Sequence, residues 1–217
     1  MKRLLYIMMM LSVSMRAMGH EEARTVDQAA GGQSSREMRA VRVNPHPPRI
    51  DGVLDDLIWQ HAPVSSGFIQ RDPEDGEPAS EKTEVRVVYD DEAVYFGVMC
   101  FDGEPDKIVA PLVRRDFWAS CDRVSLNLDP RHDHKTGFFF VLGPSGWKAD
   151  GILFNDGRRD DTWNGVWEGN ATIHDQGWSA EFRIPYHVLR FSARENYVWG
   201  VQVFARHLAE TRFGHLT

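Results

Sequence analysis

Residues 83–101 read TEVRVVYDDEAVYFGVMCF, and this stretch decides the fold. In its first half, Val85, Val87 and Tyr89 share one face, and Glu84 and Arg86 lie on the other. In its second half, the apolar residues at positions 94, 96, 98 and 100 share one face. Asp90-Asp91-Glu92 lies between the halves and is typical of a tight turn. Period-two alternation on both sides of a turn predicts an antiparallel β-hairpin.

Outside the hairpin the same kind of pattern continues. Further strand-like segments lie at 38–43, 123–129, 136–142, 147–154, 171–174, 178–184 and 197–206, with turn residues between them. Short helical turns are predicted at 54–62 and 185–191. Many short strands at regular spacing predict an all-β, antiparallel β-sandwich of immunoglobulin or jelly-roll type, with short helical turns.

The N-terminus has the pattern of an export signal. Lys2 and Arg3 precede an apolar stretch from Leu4 to Val13, at about ten residues short for a membrane span, and Ala17-Met18-Gly19 offers small residues for cleavage. Residues 1–19 are predicted as a signal peptide, 20–37 as a flexible linker and 38–217 as the sandwich domain. The mature protein is expected to be exported, whether periplasmic, outer-membrane-associated or secreted.

Charge and cysteine content narrow the class of protein. The net charge is −7, and no basic patch interleaved with aromatic residues occurs, which argues against a nucleic-acid partner. Export would permit a disulfide between Cys100 and Cys121. Cys100 lies in an apolar strand, where a buried thiol is common, and this favours two free cysteines.

Three short signatures occur in order along the chain: IDGVLDDLIW (50–59), DPRHDHKTGF (129–138) and GWSAEFRIP (177–185). By their order and spacing, residues 40–207 resemble the family 9 carbohydrate-binding-module-like domain. RRD (114–116), DTWNGVW (161–167), IP (184–185) with LRF (189–191), and WGVQ (199–202) extend the resemblance to the N-terminal sandwich of bacterial envelope proteins that continue into a membrane β-barrel-like region.

The resemblance implies non-catalytic binding of an oligo- or polysaccharide at the cell envelope, serving polysaccharide breakdown or uptake. It also implies a membrane β-barrel region as a partner. Sugar-binding members of the family hold a terminal sugar between two tryptophans. Trp118 matches the first of these, whereas no tryptophan follows Trp199 to match the second.

Trp118 lies in a polar stretch, RRDFWAS (114–120), that does not alternate. An indole ring stacks on the C–H face of a sugar, and planar guanidinium donors suit its hydroxyls. The predicted ligand-binding residues are Arg114, Arg115, Asp116 and Trp118, assisted by Trp147 and Trp163. The alternatives are a tryptophan folded over the end of the sandwich for Trp118, packing under a long loop for Trp163, and a solvated loop with weak ion pairs for the segment 114–116. Trp59, Trp178 and Trp199 are predicted to pack in the core, and Glu181 to point outward from a strand.

A calcium ion is a possible cofactor. Asp129 and Asp133 could supply oxygen ligands from a turn, and related modules contain structural calcium, although aspartate is also an ordinary turn residue. His132 and His134 would share one face of a strand, as a metal pair does. No third ligand is recognisable, so the alternative is a pair of surface histidines.

Two other function classes stay open. A glycoside hydrolase needs two carboxyls roughly 5–10 Å apart. The chain supplies many candidates: Asp116, Asp122, Asp150, Asp156, Asp160, Asp161 and Glu168. The sequence contains no nucleophile, phosphate-loop or zinc motif that would assign a catalytic residue. An accessory module of a glycoside hydrolase is therefore favoured over a hydrolase itself. The remaining class is a protein-interaction or scaffold domain of an outer-membrane-associated protein, for which an exposed hydrophobic edge strand would be typical.

Overall fold

The computed structural model describes residues 4–16, 36–43, 45–72, 74–155, 157–191 and 196–208. These residues form two β-sheets that pack face to face, which confirms the predicted all-β sandwich. The elements, in chain order, are β1 (Leu4–Arg16), β2 (Arg36–Arg39), β3 (Val41–Arg42), α1 (Leu57–His61), β4 (Ile69–Asp72), β5 (Thr83–Tyr89), β6 (Ala93–Phe101), β7 (Arg123–Asp129), β8 (Gly137–Leu142), β9 (Lys148–Phe154), β10 (Arg158–Asp160), β11 (Glu168–His174), β12 (Gly177–Pro185) and β13 (Asn196–Leu208). Short 3₁₀ turns occupy Pro105–Lys107 and Tyr186–Val188.

The predicted hairpin over 83–101 is confirmed. β5 and β6 pair antiparallel, with Tyr89 opposite Val94. The carboxylate of Asp90 closes the turn by accepting hydrogen bonds from the backbone N–H groups of Glu92 and Ala93, each at 2.8 Å. β6 then lies in the middle of a five-stranded sheet of order β11–β12–β6–β5–β3, in which only β3 runs parallel to its neighbour.

The second sheet has eight strands, in the order β10–β9–β8–β7–β13–β1–β2, with β4 paired to β1. β1 runs antiparallel to β13 from Leu4 opposite Leu208 to Arg16 opposite Asn196. In the uncleaved chain, most of the predicted signal peptide therefore forms a strand of this sheet. Its cleavage stays a prediction, and residues 20–35 of the predicted linker lie outside the described residues.

The main core lies between the two sheets and is built from the alternate residues of each strand. Along β7 the inward residues are Val124, Leu126 and Leu128, whereas the polar positions between them face out. Trp178 and Trp199 are each 1% exposed, as predicted for core residues. Trp167 stacks on Phe182, with ring centroids 5.8 Å apart and planes at 10°. Because inward and outward residues alternate along each strand, one face of the eight-stranded sheet packs in the core and the opposite face remains open.

Helix α1 covers part of the outer face of the five-stranded sheet. Five residues are too few for a helix that is stable by itself, so its packing must hold it. Trp59 is 1% exposed and lies over Gly97 of β6, where a Cβ atom would come 3.1 Å from the indole ring. The predicted core role of Trp59 is confirmed, although it belongs to a small cluster outside the main core.

Glu181 points outward from β12, as predicted, but it is not exposed to solvent. Glu181 lies on the outer face of β12, but residues 50–62 cover that face and leave Glu181 0% exposed. Its carboxylate accepts hydrogen bonds from the backbone N–H groups of Asp51 (3.0 Å) and Gly52 (2.7 Å) and from Nε1 of Trp59 (2.8 Å). Burial outweighs these donors and raises the pKa of Glu181 to about 7.

Cys100 and Cys121 are both buried free thiols, as predicted. Burial raises the pKa of each thiol above its ordinary value. Within the ranges that the structure describes, no helix has the length and apolar character needed to cross a membrane.

Candidate functional site

Trp118 lies on the outer face of the eight-stranded sheet, in the irregular segment that precedes β7. It packs on two residues that point outward from this sheet or its turns, Phe139 and Trp147, with ring centroids 6.2 and 5.7 Å away. Its Nε1 donates a hydrogen bond of 3.1 Å to Asp161. Trp118 is half-buried, so part of the ring stays open to the face of the sheet.

Trp147 lies beneath this segment. It is 4% exposed, and its Nε1 donates to the backbone carbonyl of Arg114 at 3.0 Å. The side chain of Arg114 is exposed, so only its backbone takes part in holding the segment. Of these two predicted ligand-binding residues, Trp147 therefore supports Trp118 from below, and Arg114 extends into solvent.

Arg115 and Asp116 connect the same segment to the neighbouring loop and strand. The Arg115 guanidinium binds the buried carboxylate of Asp150 and donates to the carbonyl of Gly165 at 2.9 Å. The other oxygen of Asp150 accepts the N–H of Gly165 at 2.6 Å. Burial, followed by the charge of Asp150, raises the pKa of Asp116. The side chain of Asp150 has no exposed surface, and both of its oxygens accept hydrogen bonds. A substrate therefore cannot reach this carboxylate, which argues against a hydrolytic role for it.

Trp163 does not join the other predicted site residues. Its ring packs on Phe138 and Phe140, at centroid distances of 5.2 and 6.3 Å. Those two residues face the core, whereas Phe139 between them faces the outer surface with Trp118. Trp163 is thus on the opposite side of the sheet from Trp118, and packing under the loop is the role that its contacts define.

A cleft of about 240 Å³ opens beside Trp118, and it is called the arginine cleft below. Four arginines line it, together with three aromatic rings and two polar residues: Arg71, Arg123, Arg159, Arg206, Trp118, Phe139, Phe204, Ser125 and Asn127. The described part of its lining contains no acidic side chain. The guanidinium carbon of Arg159 lies 4.2 Å from the centroid of the Trp118 ring, and that of Arg123 lies 5.4 Å away. These are cation–π distances.

The floor of the arginine cleft is the pair of strands β7 and β13. Their outward residues face each other in register as Arg123–Arg206, Ser125–Phe204, Asn127–Gln202 and Asp129–Gly200. Nδ2 of Asn127 donates to Oε1 of Gln202 at 3.4 Å. The seven residues of β7 span roughly 20 Å. The floor therefore carries charged, aromatic and amide groups in successive rows along one direction.

A second cleft, of about 920 Å³, continues from the first along the same strands. The two clefts share four lining residues, which are Arg71, Asn127, Leu153 and Phe204. Its far end is formed by the turn after β7, including His132, His134 and Lys135. Together the two clefts form one depression across the open face of the sheet, called the outer groove below.

The two aspartates considered as calcium ligands lie in the turn at the far end, where backbone N–H groups engage both carboxylates. Asp133 accepts hydrogen bonds from the backbone N–H groups of Lys135 and Thr136, both at 2.8 Å, and Asp129 accepts those of Arg131 and His134. Both carboxylates therefore close the turn, which is the ordinary role of aspartate. Among the described residues, no group of three or more His, Cys, Asp or Glu side chains could hold a metal ion. His132 and His134 lie in this turn and not on a strand, with ring centroids 4.7 Å apart.

Sequence reasoning missed most of the groove. Arg123, Asn127, Gln202 and Arg206 are outward positions of strands whose inward residues were predicted correctly. Their outward direction follows from period two. What the sequence lacks is the order of strands, which brings β7 and β13 together although about 70 residues separate them.

Fold and groove together define the class: an all-β sandwich with a ligand-sized depression on the open face of one sheet. Solved structures make the class more specific, because the fold is that of the family 9 carbohydrate-binding modules. Such a module from Caldicellulosiruptor kristjanssonii, solved in complex with glucose, matches with a TM-score of 0.52 at 14% identity, over 77% of this chain and 84% of that chain. The predicted resemblance is thereby confirmed at the level of the fold.

A Bacteroides uniformis protein proposed to bind carbohydrate matches with a TM-score of 0.54 at 10% identity, over 81% of this chain and 90% of that chain. At these identities the likeness concerns the fold. No protein-family model matches the sequence, and no curated protein sequence does.

Proposed function

We propose that this protein binds an oligo- or polysaccharide in the outer groove without catalysing a reaction on it. One observation carries the proposal. On the open face of a sandwich with the family 9 fold, aromatic rings lie beside successive rows of guanidinium and amide groups. The similar module from Caldicellulosiruptor kristjanssonii was solved with glucose, which supports a sugar as the kind of ligand.

The chemistry of the groove matches that of a sugar chain. A pyranose ring has an apolar C–H face and a rim of hydroxyls. Trp118 and Phe204 can contact the C–H face, while Asn127 and Gln202 each have an amide that can both donate and accept hydrogen bonds. The outer groove also extends along β7 and does not close around one point, which suits a chain of linked sugars.

The proposal extends to the location and role of the protein. The basic and apolar leader supports export, and the resemblance to envelope-protein domains supports a place at the cell envelope, in polysaccharide breakdown or uptake. The membrane-linked partner region and the role as accessory module of a glycoside hydrolase belong to the same proposal.

Calorimetric titration of the purified protein with a panel of neutral and charged oligosaccharides tests the proposal. Trp118→Ala should weaken the affinity for the bound sugar about tenfold, which corresponds to ~1.4 kcal/mol, because a stacking surface is lost. Trp163→Phe is the matched control. It changes a tryptophan that packs on the core side of the sheet, and the affinity should stay as in the wild type.

Two results would contradict the proposal. If a folded protein binds no member of the panel, the scaffold function becomes the better explanation. If Trp163→Phe weakens binding and Trp118→Ala does not, the ligand site lies elsewhere than the outer groove.

A further inference from the structure

The two parts of the outer groove are continuous. The arginine cleft and the larger cleft share Asn127 and Phe204 on the floor, and Arg71 and Leu153 on neighbouring strands. The larger cleft, of about 920 Å³, lies near the upper end of the range of volumes that hold drug-sized ligands. The outer groove is therefore larger than a single sugar unit requires.

Glycines keep the larger cleft wide. Gly137, Gly157 and Gly200 line it, and Gly200 occupies an outward position of the floor opposite Asp129. A glycine has no side chain that would fill the space above the sheet. At Gly137 a side chain has no room, because a Cβ atom would lie 2.7 Å from the carbonyl oxygen of Leu128. The outer groove thus stays wide along this part of its floor.

The groups that can bind a sugar are distributed along the whole floor. Four rows of outward residues on β7 and β13 follow one another, from the Arg123–Arg206 pair to the Asp129–Gly200 pair. Six residue steps of about 3.3 Å place roughly 20 Å between the first row and the last. Gln202, in the third row, lies about 13 Å along the strand from the first row, beside which Trp118 lies. A sugar ring stacked on Trp118 cannot reach that amide, which is therefore available to another unit of the chain.

The described residues at both ends of the floor are exposed. Beyond the first row, the guanidinium of Arg206 donates to the hydroxyl of Ser120, and Ser120 is exposed. Beyond the last row, the turn after β7 exposes His132, His134 and Lys135. A sugar chain that lies along the floor can therefore continue past either end into solvent.

We propose that the outer groove binds an internal stretch of a polysaccharide, several units long, and does not require a chain end. This inference rests on the proposed saccharide binding and names the part of the ligand that is recognised. Trp118 is the one tryptophan in the described lining of the groove, so this lining has no pair of tryptophans that would enclose a terminal sugar. One stacking surface followed by rows of polar groups fits a chain that passes through.

The dependence of affinity on chain length is the first measurement. Cello-, xylo- and manno-oligosaccharides, from the monosaccharide to the hexasaccharide, are titrated into the protein by calorimetry. In a series that binds, each added unit should raise the affinity until the floor is covered, and the affinity should then level off. We expect a gain of about tenfold or more between the shortest member that binds and the longest.

Two further measurements separate an internal stretch from a chain end. Reduction with borohydride opens the reducing-end ring of the hexasaccharide and should change its affinity by less than about twofold. A linear polysaccharide of known length has one end of each kind, so recognition of an end allows a single protein molecule per chain. Binding to internal stretches should instead give a calorimetric stoichiometry of several protein molecules per chain.

A variant in the third row locates the chain on the floor. Gln202→Ala should lower the affinity for the hexasaccharide about fivefold, because one amide that binds sugar hydroxyls is lost, and should change the affinity for the shortest binding member less. Asn170→Ala on β11 removes an exposed amide from the other sheet and is the matched control. Thermal melting checks that each variant folds.

The failure of this inference and the failure of saccharide binding give different results. Equal affinity for all lengths of a series, or a single protein molecule per polysaccharide chain, would overturn the inference and leave saccharide binding intact. An unchanged hexasaccharide affinity in Gln202→Ala would also overturn it, because the chain would then not lie along this floor. If no oligosaccharide or polysaccharide binds to the folded protein, saccharide binding itself fails.

Discussion

Arg115 shows how a residue suited to ligand binding can be required by the fold. Its guanidinium joins the segment that carries Trp118 to the loop that contains Gly165, and it neutralises Asp150, whose side chain is 0% exposed. Arg114 beside it has the same charge and an exposed side chain. Two adjacent arginines of one motif thus have different roles, because the buried carboxylate of Asp150 lies beside the side chain of Arg115.

We expect Arg115→Ala to lower the free energy of unfolding by about 1–3 kcal/mol, because it leaves the buried carboxylate of Asp150 with one donor fewer. Arg114→Ala should change it by no more than about 0.5 kcal/mol, since an exposed side chain is removed. Urea unfolding of both variants measures the contrast. Equal effects of the two substitutions would show that the Arg115–Asp150 pair does not hold these loops together.

The sequence identified Trp118 because an aromatic residue in a stretch without alternation has no place in a strand pattern. For Trp163 it left ligand binding and packing under a long loop both open, because Trp163 also lies in a polar segment. Their difference is which face of β8 they pack on, Phe139 for the one and Phe138 for the other. Neighbouring residues of a strand point to opposite faces of the sheet. A tryptophan that packs on Phe139 therefore lies at the groove, whereas one that packs on Phe138 lies on the core side.

Residues 50–62 act as one element that closes the outer face of the five-stranded sheet. Glu181 lies at the centre of its contacts, with donors from two backbone N–H groups and from Trp59. Because burial raises its pKa to about 7, the folded state favours the protonated form more than the unfolded chain does. Protonated Glu181 therefore adds stability below pH 4.5, and this contribution is lost as the pH rises through 7.

Melting curves between pH 4.5 and 8 test this linkage with Glu181→Gln. We expect the melting temperature of the wild type relative to this variant to fall as the pH rises over that interval. Glu168→Gln on the adjacent strand replaces an exposed glutamate and serves as the control. A constant difference between wild type and Glu181→Gln at every pH would refute the linkage.

Among the secondary-structure elements, the sequence predicts the long strands well and the short strands poorly. β5, β6, β7 and β13 have enough alternating residues to define an inner face. β4 and β10 have four and three residues, mostly polar, and owe their conformation to the strands that they pair with. The apolar stretch within β1 predicts a leader, and this stays a prediction because a signal peptide and a sheet strand share such a pattern.

At the scale of the whole molecule, the strand order brings β7 beside β13 and so builds the outer groove from strands that are distant in the sequence. The rows of guanidinium, aromatic and amide groups exist only in this pairing, which is why neither strand alone predicts them.

The two buried thiols can be used to measure how readily the regions around them open to solvent. A thiolate is the form that reacts with maleimide, and both burial and a raised pKa withhold it. Cys100 lies within β6, at the centre of one sheet, whereas Cys121 lies beneath the segment that carries Trp118. The labelling rate of Cys100 therefore measures local opening of the five-stranded sheet, and that of Cys121 measures opening of the segment that carries Trp118.

We expect Cys121 to be labelled faster than Cys100 when Cys100→Ala and Cys121→Ala variants are compared by mass spectrometry. A ligand in the outer groove should slow the labelling of Cys121 and leave that of Cys100 unchanged, since only the former lies under the groove wall. Rapid labelling of Cys100 in the folded protein would contradict this. The reactivity of one sulfur atom thus reports whether the outer groove is occupied, with the second sulfur atom as its reference.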